Sequence, residues 1–280
     1  MKTQTLKKDV LPVVKEVATL AGEKLLRYSK KIHKLEVTSK DAEGMVSEAD
    51  IKTEKFIEKK LKKLLPKASF LGEESAFLNI KDKSKAYREF QKIEWSWIVD
   101  PLDGTHNFLS GLDYYGVCIA LTHFGRPVLG VVYRPGTGEL YYAIKNGGAF
   151  KEDLQKNKRT KLSKESNTKK LKDSMVVTGF SLEKGIENPG EFKALQRVMR
   201  EVRGLRRFGS AALDMCLVSE GIFDCYWEKG LSPWDVAASG IICEEAKVHV
   251  TDYTGEVFHP FQNSVFCARK PLYKKIINLI

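Results

Sequence analysis

The residues best suited to chemistry lie in one run: Trp97-Ile98-Val99-Asp100-Pro101-Leu102-Asp103-Gly104-Thr105-His106-Asn107-Phe108. An apolar strand delivers two carboxylates, Asp100 and Asp103, to a glycine turn. Two ionised carboxylates side by side repel unless a cation lies between them. The run therefore calls for a hard, oxygen-seeking metal such as Mg²⁺; the alternative is a turn whose Asp side chains bond its own backbone. Pro101 fixes one backbone angle and leaves the Leu102 carbonyl as a further ligand. Gly104 lets a ligand approach the chain closely. Gly104 and Thr105 can present amides at the start of a short helix, a seat for phosphate, and the Thr105 hydroxyl can orient a water.

Four other places put acid where an element begins or ends. Asp50 starts a helix, Glu73 and Glu74 follow Leu71-Gly72, Glu228 follows Tyr226-Trp227, and Asp235 follows Pro233-Trp234. Taken singly, Asp50 and Asp235 read as helix caps, Glu73 and Glu74 as surface, and Glu228 as a loop acid. Taken together with Asp100 and Asp103, they suggest acids converging on metal ions. No serine, cysteine or histidine arrangement offers a better nucleophile. His106 reads as a surface or structural residue, because carboxylates already supply the ligands.

The elements that must position these acids follow from periodicity. Residues 6–29 carry a helical stripe, and Leu35 to Thr38 is a short strand. Ser47-Glu48-Ala49-Asp50 caps a helix that Pro66 stops. Strands are expected at Ser69 to Leu71 and Trp95 to Val99, the latter ending at the acidic turn. Tyr115 to Phe124, Val128 to Tyr133 and Leu140 to Ile144 form an antiparallel meander. Lys151 to Lys170, polar and basic, reads as a surface loop. Beyond it, strands at Ser174 to Thr178, Gly204 to Arg207, Phe223 to Trp227 and Val265 to Ala268 alternate with helices at Glu191 to Arg200, Ser210 to Glu220, Pro233 to Ala246 and from Pro271. The order predicts an α/β (α+β) protein of helices layered on sheets. Its two halves, 1–146 and 147–280, make one catalytic unit, with Asp235 and the substrate side on the second half.

Composition narrows the class. The 280 residues are 42% hydrophobic, enough for a sizeable core. No early segment has the pattern of a signal peptide, and no apolar run approaches a membrane span. The five cysteines are dispersed without a CxxC pair, which argues for buried reduced thiols, a cytoplasmic location, and no zinc or iron–sulfur site. The net charge of +11 admits nucleic acid or an anionic substrate. Its main concentrations, Lys52 to Lys67 and Lys151 to Lys170, lack interleaved aromatics and read as solvated surface; the first is the outer face of a helix buried through Ile57, Leu61, Leu64 and Leu65.

At these residues the chain resembles the inositol monophosphatase family of Mg²⁺-dependent, lithium-sensitive phosphatases. The Gly-Glu-Glu-Ser signature is Gly72 to Ser75. Asp-Pro-(Ile/Leu)-Asp-Gly-Thr-x-Asn-Phe is Asp100 to Phe108, and Trp-Asp-x-Ala is Trp234 to Ala237. Gly209-Ser210-Ala211-Ala212 and Glu228 match substrate-side segments, and the resemblance runs from about residue 8 to residue 270. It implies a layered αβαβα sandwich, usually a homodimer. It further implies that Glu73, Asp100 and the Leu102 carbonyl bind a first Mg²⁺, that Asp100, Asp103 and Asp235 bind a second, and that Glu73 shares a third; Mn²⁺ would substitute. Glu74 and Lys40 resemble residues just outside the ligands. Asp50 and Thr105, with Glu73 beside them, resemble the group that orients the attacking water. The Gly104 and Thr105 amides would hold the phosphate, and Asp103, Gly209, Ser210, Ala211 and Glu228 would face the alcohol.

The implied activity is hydrolysis of a small polyol phosphate, foremost myo-inositol 1-phosphate, by metal-activated water. Histidinol phosphate, fructose 1,6-bisphosphate and a 3′-phosphonucleotide are rivals within the fold. A second class is association with RNA or RNA polymerase, since some bacterial relatives resemble the chain around Arg206 to Ala212. Ser47, His106, Ser239 and Ala246-Lys247 depart from the family pattern. The last pair replaces a usual Gly-Gly and could shift the loop after the metal-bearing helix; none removes a ligand.

Overall fold

The computed structural model describes residues 1–39, 45–162, 168–180 and 189–280. A short helical turn at Thr3–Thr5 and a π-helical turn at Leu6–Val10 lead into helix α1 (Leu11–Ser29). Its apolar stripe, Val14, Val17, Ala18, Ala21 and Leu25, is buried at the helical spacing. Strands β1 (Val37–Ser39) and β2 (Met45–Ser47) form a small antiparallel pair. Helix α2 (Glu48–Leu64) begins at the expected cap, where Ser47 and Asp50 make a capping box. Ile57 and Leu61 are its buried stripe, and the lysines at 52, 55, 59, 60, 62 and 63 are exposed.

A seven-stranded sheet follows, in chain order from β3 to β9: β3 (Ser69–Gly72), β4 (Trp95–Asp103), β5 (Gly116–His123), β6 (Arg126–Arg134), β7 (Glu139–Ile144), β8 (Gly148–Asp153) and β9 (Lys158–Leu162). Only β3 and β4 are parallel; the rest is the expected antiparallel meander. Helices α3 (Glu73–Asn79), α4 (Lys83–Phe90) and α5 (Thr105–Leu109) are inserted at its start.

The basic segment expected as a loop from Lys151 to Lys170 holds the end of β8 and all of β9, joined by a turn at 154–157, while 163–167 lie outside the described residues; the first sheet therefore runs beyond residue 146. The reason is position: β9 is an edge strand with four exposed residues and one buried. An edge needs little apolar content, and charge there discourages pairing with other chains.

The second sheet has the order β11-β10-β12-β14-β13, from β10 (Met175–Thr178), β11 (Gly204–Arg206), β12 (Cys225–Lys229), β13 (His249–Thr251) and β14 (Ser264–Ala268). Helices α6 (Pro189–Glu201), α7 (Ala211–Glu220), α8 (Pro233–Glu245) and α9 (Tyr273–Ile277) complete the chain. Three buried clusters define the layers. One joins α1 and α2 to the first sheet. The largest joins both sheets through α7 and α8. The third covers the far side of the second sheet with α6 and α9. The result is an αβαβα sandwich. Helices α7 and α8 are buried on all sides, so they show no amphipathic stripe. All five cysteines are buried and free. Among the described residues, no helix is long and apolar enough to cross a membrane.

Candidate functional site

Strand β4 explains how both acids come to face the same way. Trp97 and Val99 pack on the side of α1 and α2, and Ile98 on the side of α7 and α8. In a regular strand, residues three apart point to opposite faces. Here the register with β5 slips between Asp100↔Cys118 and Asp103↔Gly116, a β-bulge carrying one extra residue. Leu102 is thereby returned to the α1–α2 side. Asp103 joins the inner side, where its Oδ2 accepts from the Ser210 hydroxyl at 2.5 Å and the Ala212 N–H at 3.0 Å. Asp100 Oδ1 accepts the Leu102 N–H at 2.8 Å, so the turn does bond its own backbone while keeping both acids together.

Gly104 ends the strand with φ +93°. A side chain there would be strained by the left-handed backbone, and its Cβ would come 3.0 Å from the Tyr114 carbonyl. The first turn of α5 then starts with N–H groups that have no acceptor within the helix. The Thr105 hydroxyl lies 3.1 Å from Asp50 Oδ1 and 3.0 Å from the Leu102 carbonyl. Asp50 in turn takes the Ser47 N–H (2.8 Å) and hydroxyl (2.5 Å) on Oδ2. One oxygen thus serves the helix cap and the other faces the Thr105 hydroxyl. Asp235 likewise closes a capping box at the start of α8, accepting the Ser232 N–H at 2.7 Å.

Glu73 and Glu74 open α3. The first turn of that helix is held by a residue to which the sequence assigned no role. Glu54, one turn beyond Asp50 on the buried face of α2, accepts the Glu74 N–H at 2.7 Å and the Ser75 N–H at 2.9 Å. Gly72 must lack a side chain here, since a Cβ would run into the Glu54 carboxylate. The signal was available: acids at 50 and 54 share one face with Ile57 and Leu61. Asn107 was also given no role. Its side-chain amide donates to the carbonyls of Tyr114 (2.8 Å) and Phe208 (2.7 Å), tying the acidic turn to the segment before Gly209. His106 is exposed. Lys40 lies outside the described residues.

Electrostatics joins these pieces. Burial pushes the carboxyls of Asp50, Glu54, Asp100, Asp103 and Asp235 upward, and the negative charge of Glu73 pushes each of them further. Asp103 reaches about 6 despite its hydrogen bonds, while Asp100 also feels Asp103 and Asp235. On the other side, Glu228 adds its charge to that on Asp235. The charge of Glu73 on α3 thus destabilises the ionised forms of acids on α2, β4 and α8, a situation that a divalent cation reverses. The donors are all oxygen, which suits Mg²⁺ or Mn²⁺. Among the described residues no three of His, Cys, Asp and Glu stand together as a ready-made metal cluster. The case for a metal therefore rests on mutual electrostatics and donor chemistry.

The family model for the inositol monophosphatase family matches residues 6–280. The chain belongs to the inositol monophosphatase family. It is 37% identical to the inositol-1-monophosphatase of Rhizobium meliloti, across 97% of this chain and 96% of that protein. It is 31% identical to the Nus factor SuhB of Pasteurella multocida, across 97% and 95%. The crystal structure of extragenic suppressor protein SuhB from Bartonella henselae superposes with a TM-score of 0.83 at 35% identity, covering 96% of this chain and 97% of that one. Family membership places the chain among phosphatases. Its relatives carry two kinds of name, one enzymatic and one regulatory.

Proposed function

We propose that the chain is a Mg²⁺-dependent phosphomonoesterase acting on a small polyol phosphate, foremost myo-inositol 1-phosphate, by direct attack of water. The observation that carries this reading is the electrostatic meeting of Asp100, Asp103 and Asp235 around Glu73, beside the first turn of α5. Glu73, Asp100 and the Leu102 carbonyl would hold one ion, Asp100, Asp103 and Asp235 a second, with Glu73 shared by a third. Bound Mg²⁺ would lower the pKa of water and offset charge on the phosphate and the leaving oxygen. Thr105 and Asp50, already hydrogen-bonded to each other, would orient that water, the Thr105 hydroxyl taking its proton as it passes its own to Asp50 Oδ1. The Gly104 and Thr105 amides would face the phosphate. Ser210 and Ala212 fix Asp103, so Gly209 to Ala212 would set the wall facing the alcohol. Glu228 would accept hydrogen bonds from hydroxyls and repel a second phosphate.

A panel of phosphate esters assayed with Mg²⁺ tests this reading. Turnover of polyol monophosphates is expected; turnover confined to bisphosphorylated esters would overturn the inositol assignment. Asp103→Asn should lower kcat by about 10³-fold or more, since several kcal/mol of charge stabilisation are lost. Full activity in that variant would remove Asp103 from the ligand set.

A second reading is association with RNA or the transcription machinery. It draws on relatives named Nus factor and on the exposed lysines of α2. Binding of RNA by the Asp103→Asn variant, weakening with salt along a slope set by phosphate contacts, would support it. Failure to bind at low salt would exclude direct RNA contact.

A further inference from the structure

Glu228 stands on β12, and two features of the fold bear on where its carboxylate points. Tyr226, two residues earlier on the same strand, shares its face. Tyr226 is fully buried and donates its phenolic O–H to Glu228 Oε2 at 2.5 Å. Gly179, just past the end of β10, lies against the same carboxylate: a Cβ added there would collide with both oxygens. The separation between these two residues is set by the sheet. β10 and β12 are parallel neighbours paired through Thr178↔Trp227, and the Thr178 hydroxyl donates to the Trp227 carbonyl at 2.6 Å. The nearby Asp214 has a phenol of its own, accepting from Tyr114 at 2.7 Å, which leaves Tyr226 committed to Glu228. A buried phenol that lost its partner would be costly, so the pairing is held from the Tyr226 side as well.

We propose that Tyr226 and Gly179 are specificity-determining positioning residues, which aim the Glu228 carboxylate so that it accepts hydroxyl groups of a polyol phosphate. Neither touches the reacting atoms; both act through Glu228. The inference rests on the reading of Glu228 as the acid facing the alcohol. Removing the phenolic donor takes away one of the contacts that orient the carboxylate. A methyl at residue 179, whose backbone is not in the left-handed region, displaces the end of a flexible side chain rather than the sheet. Either change should weaken recognition of hydroxyls and leave the phosphate chemistry in place.

The experiment compares Tyr226→Phe, Gly179→Ala and Glu228→Gln on the best polyol phosphate of the panel and on p-nitrophenyl phosphate, whose alcohol carries no further hydroxyl. Tyr226→Phe and Gly179→Ala should each lower kcat/KM for the polyol ester about fivefold, chiefly through KM. The aromatic ester should stay within about twofold by the same reasoning. An equal loss on both esters would show a merely structural role and overturn the inference. So would an unchanged preference in both variants while Glu228→Gln alone shifts it. If Glu228→Gln leaves the preference unchanged, Glu228 does not face the alcohol, and the underlying reading fails together with this one. Should Tyr226→Phe not fold, Gly179→Ala decides by itself, because the expected displacement lies at the tip of the Glu228 side chain.

Discussion

A carboxylate has two oxygens, and several acids of this site use them for different tasks. Asp50 gives one to the Ser47 cap and the other to Thr105. Asp235 caps α8 while sharing the field of Glu73 and Asp103. Cap and site residue, which look like rival readings of a lone Asp in a sequence, are compatible roles of one side chain. Glu54 shares the buried face of α2 with Asp50, a placement the helical spacing shows, but its partners appear only in three dimensions, since they are 20 and 21 residues away. Each oxygen accepts one N–H from the first turn of α3, so the carboxylate anchors the helix that starts with Glu73. In Glu54→Gln one acceptor becomes an NH₂ group facing an N–H, leaving a buried donor without a partner. We expect a loss of about 1–3 kcal/mol in unfolding free energy, read from the urea midpoint. The Mg²⁺ concentration needed for half-maximal activity should rise as well, because Glu73 moves with α3. An unchanged urea midpoint would show that those amides find other acceptors.

At the scale of elements, the helices with one wet face and the meander strands were legible from periodicity, because the burial of alternate or every third to fourth residue writes itself into the chain. The bulge in β4 was not. Read as a strand to Val99 and then a turn, the run gives no reason why Asp100 and Asp103 share a face. That comes from the slip against β5, a property of the partner strand. The short edge strand β13 and the helices α3 and α4 were likewise missed, being brief and supported mainly by tertiary contacts. One local departure did carry structural meaning. After α8, Lys247 N–H bonds to Glu244 and Val248 N–H to Cys243, at 3.0 and 2.9 Å. This is the Schellman arrangement, whose penultimate residue adopts left-handed backbone and is usually glycine. Lys247 has φ +67°, at the position where the family commonly has glycine. A side chain in that region costs roughly 1 kcal/mol. Lys247→Gly should therefore raise stability by about 1 kcal/mol, less a few tenths for the greater freedom of the unfolded chain. In a protein of this size that is a gain of ~1–2 °C in Tm. A lower Tm would mean that the lysine side chain contributes more than the backbone strain removes.

For the molecule as a whole, the layered fold concentrates negative charge where α2, α3, β4 and α8 meet, on a chain whose net charge is +11. Without a cation this acidic centre opposes folding in a pH-dependent way. Burial first, and then neighbouring carboxylates, raise the folded-state pKa of Asp100 and Asp235, and that of Asp103 to about 6; an exposed Asp titrates near ~3.9. A group whose pKa is higher in the folded state binds its proton more tightly there, so protonation favours the fold. That contribution is complete below the unfolded value and is lost as pH rises through the folded one. Metal binding runs the other way, because the ligands must be ionised. The stabilisation due to Mg²⁺ should thus be small near about pH 5 and grow toward about pH 7.5. At a free concentration about 100 times Kd it should reach ~2.7 kcal/mol, or ~4–5 °C in Tm for a chain of this length. The measurement is a pair of thermal melts, with chelator and with MgCl₂, across that pH range. In Asp235→Asn the difference should shrink and flatten, because one proposed ligand and one repelling charge are gone together. A difference between the two melts that does not change with pH would mean that Mg²⁺ stabilises the protein elsewhere than among these buried acids.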